Sequence, residues 1–125
     1  MDKEYTLGII GARTFTDYSR LEESLVGIIK KHGLPHTVVS GGARGADRLA
    51  ITWAMNRGIN MINHQPNWNR YGKGAAYIRN CKIVEDADII IAFPSHKGSG
   101  TQMTLKIAKE QGIECMIHND WESMP

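Results

Sequence analysis

Apolar residues along this chain alternate between short continuous runs and helical spacing, and that alternation lays out the elements. Tyr5-Thr6-Leu7-Gly8-Ile9-Ile10-Gly11 is a short, mostly apolar run ended by glycine, suited to a strand buried on both faces. After the polar turn Ala12 to Asp17, the residues Tyr18, Leu21, Leu25, Ile28, Ile29 and His32 recur at helical spacing, with Gly33 and Pro35 as stop signals. Thr37-Val38-Val39-Ser40 predicts a second strand, broken by Gly41-Gly42-Ala43-Arg44-Gly45. Ala46, Leu49, Ala50, Trp53 and Ala54 then mark one face of a helix that closes at Gly58. Ile59 to His64 predicts a third strand, although Asn60 and Asn63 interrupt it, and Gln65 to Lys73 reads as a polar loop rich in Asn and aromatic residues. A helix is expected from Gly74 to Glu85. Ala87-Asp88-Ile89-Ile90-Ile91-Ala92-Phe93, stopped by Pro94, is the strongest strand pattern in the chain. Thr101 to Gln111 predicts a last helix, Ile113 to His118 a fifth strand, and Asn119 to Pro125 no clear element.

Strands and helices that alternate without a repeat or linker imply parallel strands, right-handed crossovers and helices on both faces. The expectation is an α/β fold, a Rossmann-like three-layer sandwich with a five-stranded, mostly parallel sheet, spanning 1–125 as one domain. A chain of 125 residues, 42% hydrophobic, is long enough to bury a core without staples. Cys81 and Cys115 are too few, and too embedded in apolar segments, for a disulfide framework, which fits a reduced, cytoplasmic setting. No apolar run approaches the ~20 residues of a membrane span. The net charge of +2 lacks the dense basic stripe of a nucleic-acid binder, and the adjacent pair Lys30-Lys31 falls at a helix end, where cations suit the macrodipole.

In sheets of this kind ligands bind beyond the carboxyl ends of the strands, so the residues after each strand matter most. They are Gly11-Ala12-Arg13, then Ser40-Gly41-Gly42-Ala43-Arg44-Gly45-Ala46-Asp47, then Pro94-Ser95-His96-Lys97-Gly98-Ser99-Gly100-Thr101. Glycines admit close approach of backbone N–H groups, and two of these turns open into helices whose N-termini attract anions. Arg13 and Arg44 add forked donors that match phosphate or carboxylate oxygens. Any one such turn is an ordinary strand-to-helix connection; three together point to a phosphate-bearing ligand. The dinucleotide pattern G-x-G-x-x-G and the P-loop pattern G-x-x-x-x-G-K-[ST] are both missing from these turns.

The string from Gly11 to Tyr18, the block from Ser40 to Ala50, Trp68, Tyr71-Gly72-Lys73, Arg79-Asn80 and the segment from Asp88 to Thr101 resemble the SLOG superfamily. More narrowly they are similar to its small Rossmann-like branch of bacteria and their phages, related to YspA and YpsA. The resemblance covers roughly Tyr5 to His118 and implies a domain that binds a nucleotide or a nucleotide derivative, without naming the ligand. The LOG phosphoribohydrolases are better-understood relatives, and their motif P-G-G-x-G-T-x-x-E is similar to Pro94 followed by Gly98-Ser99-Gly100-Thr101-Gln102-Met103-Thr104. Thr104 then stands where that family keeps its catalytic glutamate, and threonine neither activates water nor stabilises developing positive charge well. Arg79, nine residues before Asp88, matches the arginine with which LOG proteins contact the nucleotide, and Asn80 beside it can reach the same ligand.

Other candidates stay open at this level. Asp17 and Asp47 fall near the ligand edge, and Asp47 in a first helical turn also serves as dipole compensation. Glu85, Asp86 and Asp88 precede the fourth strand, away from that edge. Trp68 either covers a base or plugs a core edge or an interface; Trp53 reads as core, and Trp121 as a cover for a sheet edge or a subunit contact. His64, His96 and His118 end strands or sit in the glycine loop, where they titrate against an anion or are simply satisfied or exposed. His32 and His36 share no helix face, so no metal site is expected, and no cofactor is implied. The leading expectation is a binding module that senses or sequesters a nucleotide-derived ligand; the alternatives are a hydrolase of an N-glycosidic or phosphate bond and a DNA-associated processing factor. Relatives that pair through helices imply a possible homo-oligomer.

Overall fold

A computed structural model describes residues 4–42, 44–97 and 100–123. Its elements are β1 (Thr6–Gly11), α1 (Tyr18–His32), β2 (Thr37–Ser40), α2 (Ala46–Asn56), β3 (Asn60–Asn63), α3 (Trp68–Tyr71), α4 (Ala75–Asp86), β4 (Ile89–Phe93), α5 (Gly100–Glu110) and β5 (Glu114–Ile117). The strands lie in the order β3-β2-β1-β4-β5 and every pairing is parallel, with Leu7 opposite both Val38 and Ile89. The chain works outward from β1 through β2 to β3, then returns to the other side of β1. The order therefore reverses between β1 and β4, which is where a crevice is expected.

Period-two alternation in the central strands feeds two separate cores. Leu7, Ile9, Val38, Ile89, Ile91 and Phe93 face α1 and α2, where they meet Leu21, Leu25, Ile28 and Trp53. Ile10, Val39, Ile90 and Ala92 face the opposite way, against Ile83 and Val84 of α4 and Leu105, Ile107 and Ala108 of α5. Strands covered on both faces have no polar side to expose, which explains the near-continuous apolar runs. The edge strands β3 and β5 are more exposed, and there Asn60, Asn63 and Glu114 are tolerated.

The helix limits follow local chemistry. Asp17 Oδ1 accepts from Arg20 N (3.1 Å) at the start of α1, so this carboxylate caps the helix. Two expectations need correction. The segment Gln65 to Lys73 is not all loop: Asn67 Oδ1 accepts from Arg70 N (3.1 Å) and starts the four-residue α3, followed by a 3₁₀ turn over Gly72–Gly74. The tail forms a second 3₁₀ turn, Trp121–Ser123, which has no periodicity to betray it because tertiary contacts hold it. No helix among the described residues is long and apolar enough to cross a membrane.

Candidate functional site

At the reversal between β1 and β4 lies a cleft of about 430 Å³, within the range of small-molecule sites. Ile10 to Thr14 from the end of β1, Asp47 from α2, Arg79, Asn80 and Ile83 from α4, and Ser95, Lys97, Gly100, Thr101 and Thr104 from the β4–α5 connection line it. Arg13, Arg79 and Lys97 bring three cations to this space against the one carboxylate of Asp47.

Arg79 is held rather than loose. Its Nε donates to Asn80 Oδ1 (2.7 Å) and its Nη1 to the Gly41 carbonyl (3.0 Å), tying α4 to the end of β2. Burial pulls the guanidinium below the usual arginine range, Asp47 opposes that and Arg13 adds to it. An arginine remains charged under any such shift, so the site keeps a desolvated, oriented cation. Asn80, expected to reach a ligand, is 3% exposed; it orients Arg79 and its Nδ2 reaches Met103 Sδ (3.4 Å).

The glycines play a different part from the one the motif suggests. Gly45 takes φ +73°, and a Cβ there would come within 2.3 Å of the Ala12 carbonyl and 2.5 Å of that of Arg13. The α2 turn is thus packed directly on the backbone of the β1 turn. Ala46 N donates to Ala12 O (3.2 Å), so one of the N–H groups expected to attract an anion is already occupied within the protein. Gly11 permits the same closeness: a Cβ would sit 2.7 Å from Ala46 Cβ and 2.9 Å from the Phe93 carbonyl. A side chain on Gly41 would collide with Arg79 Nη1 at 2.5 Å and approach Asp47 Oδ2 at 3.2 Å, so its absence leaves room for both groups at the end of β2.

Not every expected residue arrives. Gly42 packs against the Asn63 side chain, and Arg44 is exposed; neither lines the cleft. Trp68 is 57% exposed on α3 and also outside it. Ser40 is fully buried beneath the edge, its Oγ without a hydrogen-bond partner among the described residues. Gly98 and Ser99 fall outside the described residues. Thr104 is buried and its Oγ1 donates to the Gly100 carbonyl (3.1 Å), which spends the hydroxyl on its own helix. The histidines turn elsewhere: His64 pairs with Asp86 (2.5 Å), His118 stacks on Phe93, and His96 pairs with Glu122.

The wall after β4 depends on the tail, which sequence patterning did not reveal. Trp121 packs edge-on against Phe15, which stacks on Phe93, and its Nε1 donates to the buried Pro94 carbonyl (2.9 Å). Glu122 accepts from Ser95 Oγ and His96 N (both 2.9 Å), and those bonds hold its carboxyl below the usual range, chiefly the one from His96 N. Ser95 Oγ in turn accepts from Lys97 N (3.2 Å). Lys97 itself had a local signal, a cation inside the glycine loop; nothing within the tail announces a contact across 27 residues of chain.

Comparison with known proteins agrees with this architecture. Residues 8–71 match the family model of the YspA, cpYpsA-related SLOG family. The Gene 61 protein of Mycobacterium phage D29 is 32% identical over 118 residues, covering 90% of this chain and 94% of the phage protein. The chain belongs to the YspA, cpYpsA-related SLOG family. The crystal structure of DNA processing protein A (DprA) from Streptococcus pneumoniae superimposes with a TM-score of 0.70 at 16% identity, over 91% of this chain and 50% of that one, so the chain spans half its length and shares its fold.

Proposed function

We propose that this member of the SLOG family binds a phosphate-bearing nucleotide or nucleotide derivative in the β1–β4 cleft, as a module that senses or sequesters the ligand. The observation that carries the reading is the convergence of Arg13, Arg79 and Lys97 on one cleft at the reversal of strand order. Charge-assisted hydrogen bonds to phosphate contribute roughly 1.5–3 kcal/mol each. Hydrolysis is the weaker reading, because Thr104 holds the position of the LOG glutamate with its hydroxyl engaged.

Calorimetry with AMP, ADP-ribose, NAD and cyclic nucleotides tests the proposal. Binding by at least one of them is expected, weakened about 10- to 100-fold by Arg79→Met and less than about threefold by Arg44→Ala, since each charged hydrogen bond carries that order of energy. A folded protein that binds none of the panel overturns it. A DNA-associated role is favoured by the likeness to DNA processing protein A, and it predicts an oligonucleotide mobility shift that weakens steeply with salt. A shift without nucleotide binding would put that reading first.

A further inference from the structure

The wall after β4, from Pro94 to Lys97, is tied at every residue to Trp121 and Glu122 of the tail, directly or through one relay. Trp121 Nε1 donates to the Pro94 carbonyl (2.9 Å). Glu122 Oε2 accepts from Ser95 Oγ and Oε1 from His96 N, both at 2.9 Å, and His96 Nδ1 meets the same Oε1. Ser95 Oγ then accepts from Lys97 N (3.2 Å). A hydroxyl has one proton, and giving it to Glu122 turns the oxygen lone pairs toward the Lys97 amide. The two bonds polarise one another, so the carboxylate acts on the backbone of Lys97 without touching it.

Ser95 and Lys97 line the cleft, whereas Trp121 and Glu122 do not. Arg79 is oriented by its own neighbours, Asn80 Oδ1 and the Gly41 carbonyl. Lys97 carries its charge on a flexible four-carbon stem, so the protein aims it by fixing the backbone from which the stem starts. Resting on the reading of the cleft as a phosphate site, we propose that Glu122 is a positioning residue for ligand binding: through Ser95 it holds Lys97 where its ammonium meets the ligand phosphate. The neighbouring Asp120 has no share in this. It pairs with Arg20 of α1 (2.7 Å), away from the loop, and its side chain is 66% exposed, where ion pairs contribute little.

The test has two readouts on the full chain. Amide hydrogen exchange without ligand is expected to show His96 and Lys97 protected in the wild type. In Glu122→Ala both are expected to exchange about tenfold faster, while amides of β1 and β4 stay within about twofold. Calorimetry then uses inorganic phosphate and whichever of AMP, ADP-ribose, NAD and a cyclic nucleotide binds most tightly. Glu122→Ala and Lys97→Ala are each expected to weaken binding about tenfold, and Asp120→Ala less than about twofold. Adding Glu122→Ala to Lys97→Ala is expected to cost less than about twofold more, because both remove one interaction. Losses that instead multiply to about 100-fold overturn the proposal, since Glu122 would then act independently of Lys97. Unchanged exchange at Lys97, or unchanged binding in Glu122→Ala, also overturns it while leaving the anion cleft intact. Absence of wild-type binding by every probe removes the phosphate site and this proposal together, and the exchange readout tells that failure apart from a failure of the tail contact.

Discussion

Around β1 and β4 the carboxyl edge of the sheet closes into a cleft, while around β2 and β3 it stays open. Both ends carry glycine, arginine and an aromatic residue. At the closed end Arg79 is bound to Asn80 and Gly41, Gly45 is pressed on the Ala12 and Arg13 carbonyls, and Trp121 is anchored to Pro94. At the open end Arg44 is exposed, Gly72 has open space where a Cβ would go, and Trp68 is 57% exposed. The reversal of strand order makes the difference: β1 and β4 lead their chains away to opposite faces of the sheet, leaving a gap that side chains from four segments enter. The same residue types line the cleft or face solvent according to whether the packing around them turns them toward that gap, so that Asp47 reaches it while Arg44, three residues earlier in the same connection, is exposed.

Substituting two of the positive-φ glycines, one at each end, gives the largest contrast. Gly72→Ala, at φ +53° and ψ −127° with nothing within 4 Å, is expected to cost the ~1–3 kcal/mol of an alanine held in a backbone region that glycine favours. Gly45→Ala adds a backbone collision to the same penalty and is expected to cost roughly 3 kcal/mol or more, read from urea denaturation midpoints. Equal losses would mean that the α2 turn does not press on the β1 turn as described.

The tryptophans sharpen the comparison at a smaller scale. Trp121→Ala removes a half-buried ring stacked edge-on against Phe15 and a hydrogen bond to Pro94, and a loss of about 2 kcal/mol is expected. Trp68→Ala is expected to stay within about 0.5 kcal/mol, as exposed substitutions usually do. A stability loss at Trp68 that matched Trp121 would show the open end to be packed after all.

The smallest effect concerns pH. Burial holds the His118 imidazole below its ordinary value of 6.5, with Asp120 opposing and Arg20 reinforcing the shift. The unfolded chain then binds the proton more readily than the folded one, so this contribution is complete above pH 6.5 and is lost as pH falls from there through the lower value of the folded imidazole. His118→Gln is expected to flatten the decline in thermal midpoint between about pH 7.5 and 5.5. An unchanged slope would assign the decline to other groups.

Much of the architecture was legible because each element's own residues decide it. The run Ile89 to Phe93 is apolar at every position since both faces of that strand are covered, and α1 spans Tyr18 to His32 as its periodicity predicts. The cleft was legible in part. Gly11, Arg13, Asp47, Arg79, Asn80, Gly100 and Thr101 follow strand ends or a matched motif, and they meet in space. Arg44 and Trp68 obey the same local logic and do not join them, because position along the sheet is not encoded in any local pattern. Asn80 lines the cleft too, nearly buried, with its side-chain oxygen already accepting from Arg79.

The sequence by itself determined the alternation of strands and helices, the apolar faces that form two cores, and the family. Those depend on periodicity and on short motifs, which act over a few residues. Only the tertiary structure decided that glycines of the α2 turn serve backbone packing, that Asp47 lies beside Arg79 in the cleft wall, and that Trp121 and Glu122 support the loop after β4. Each of these is a contact between segments far apart in the chain, and such contacts exist only once strand order brings the segments together.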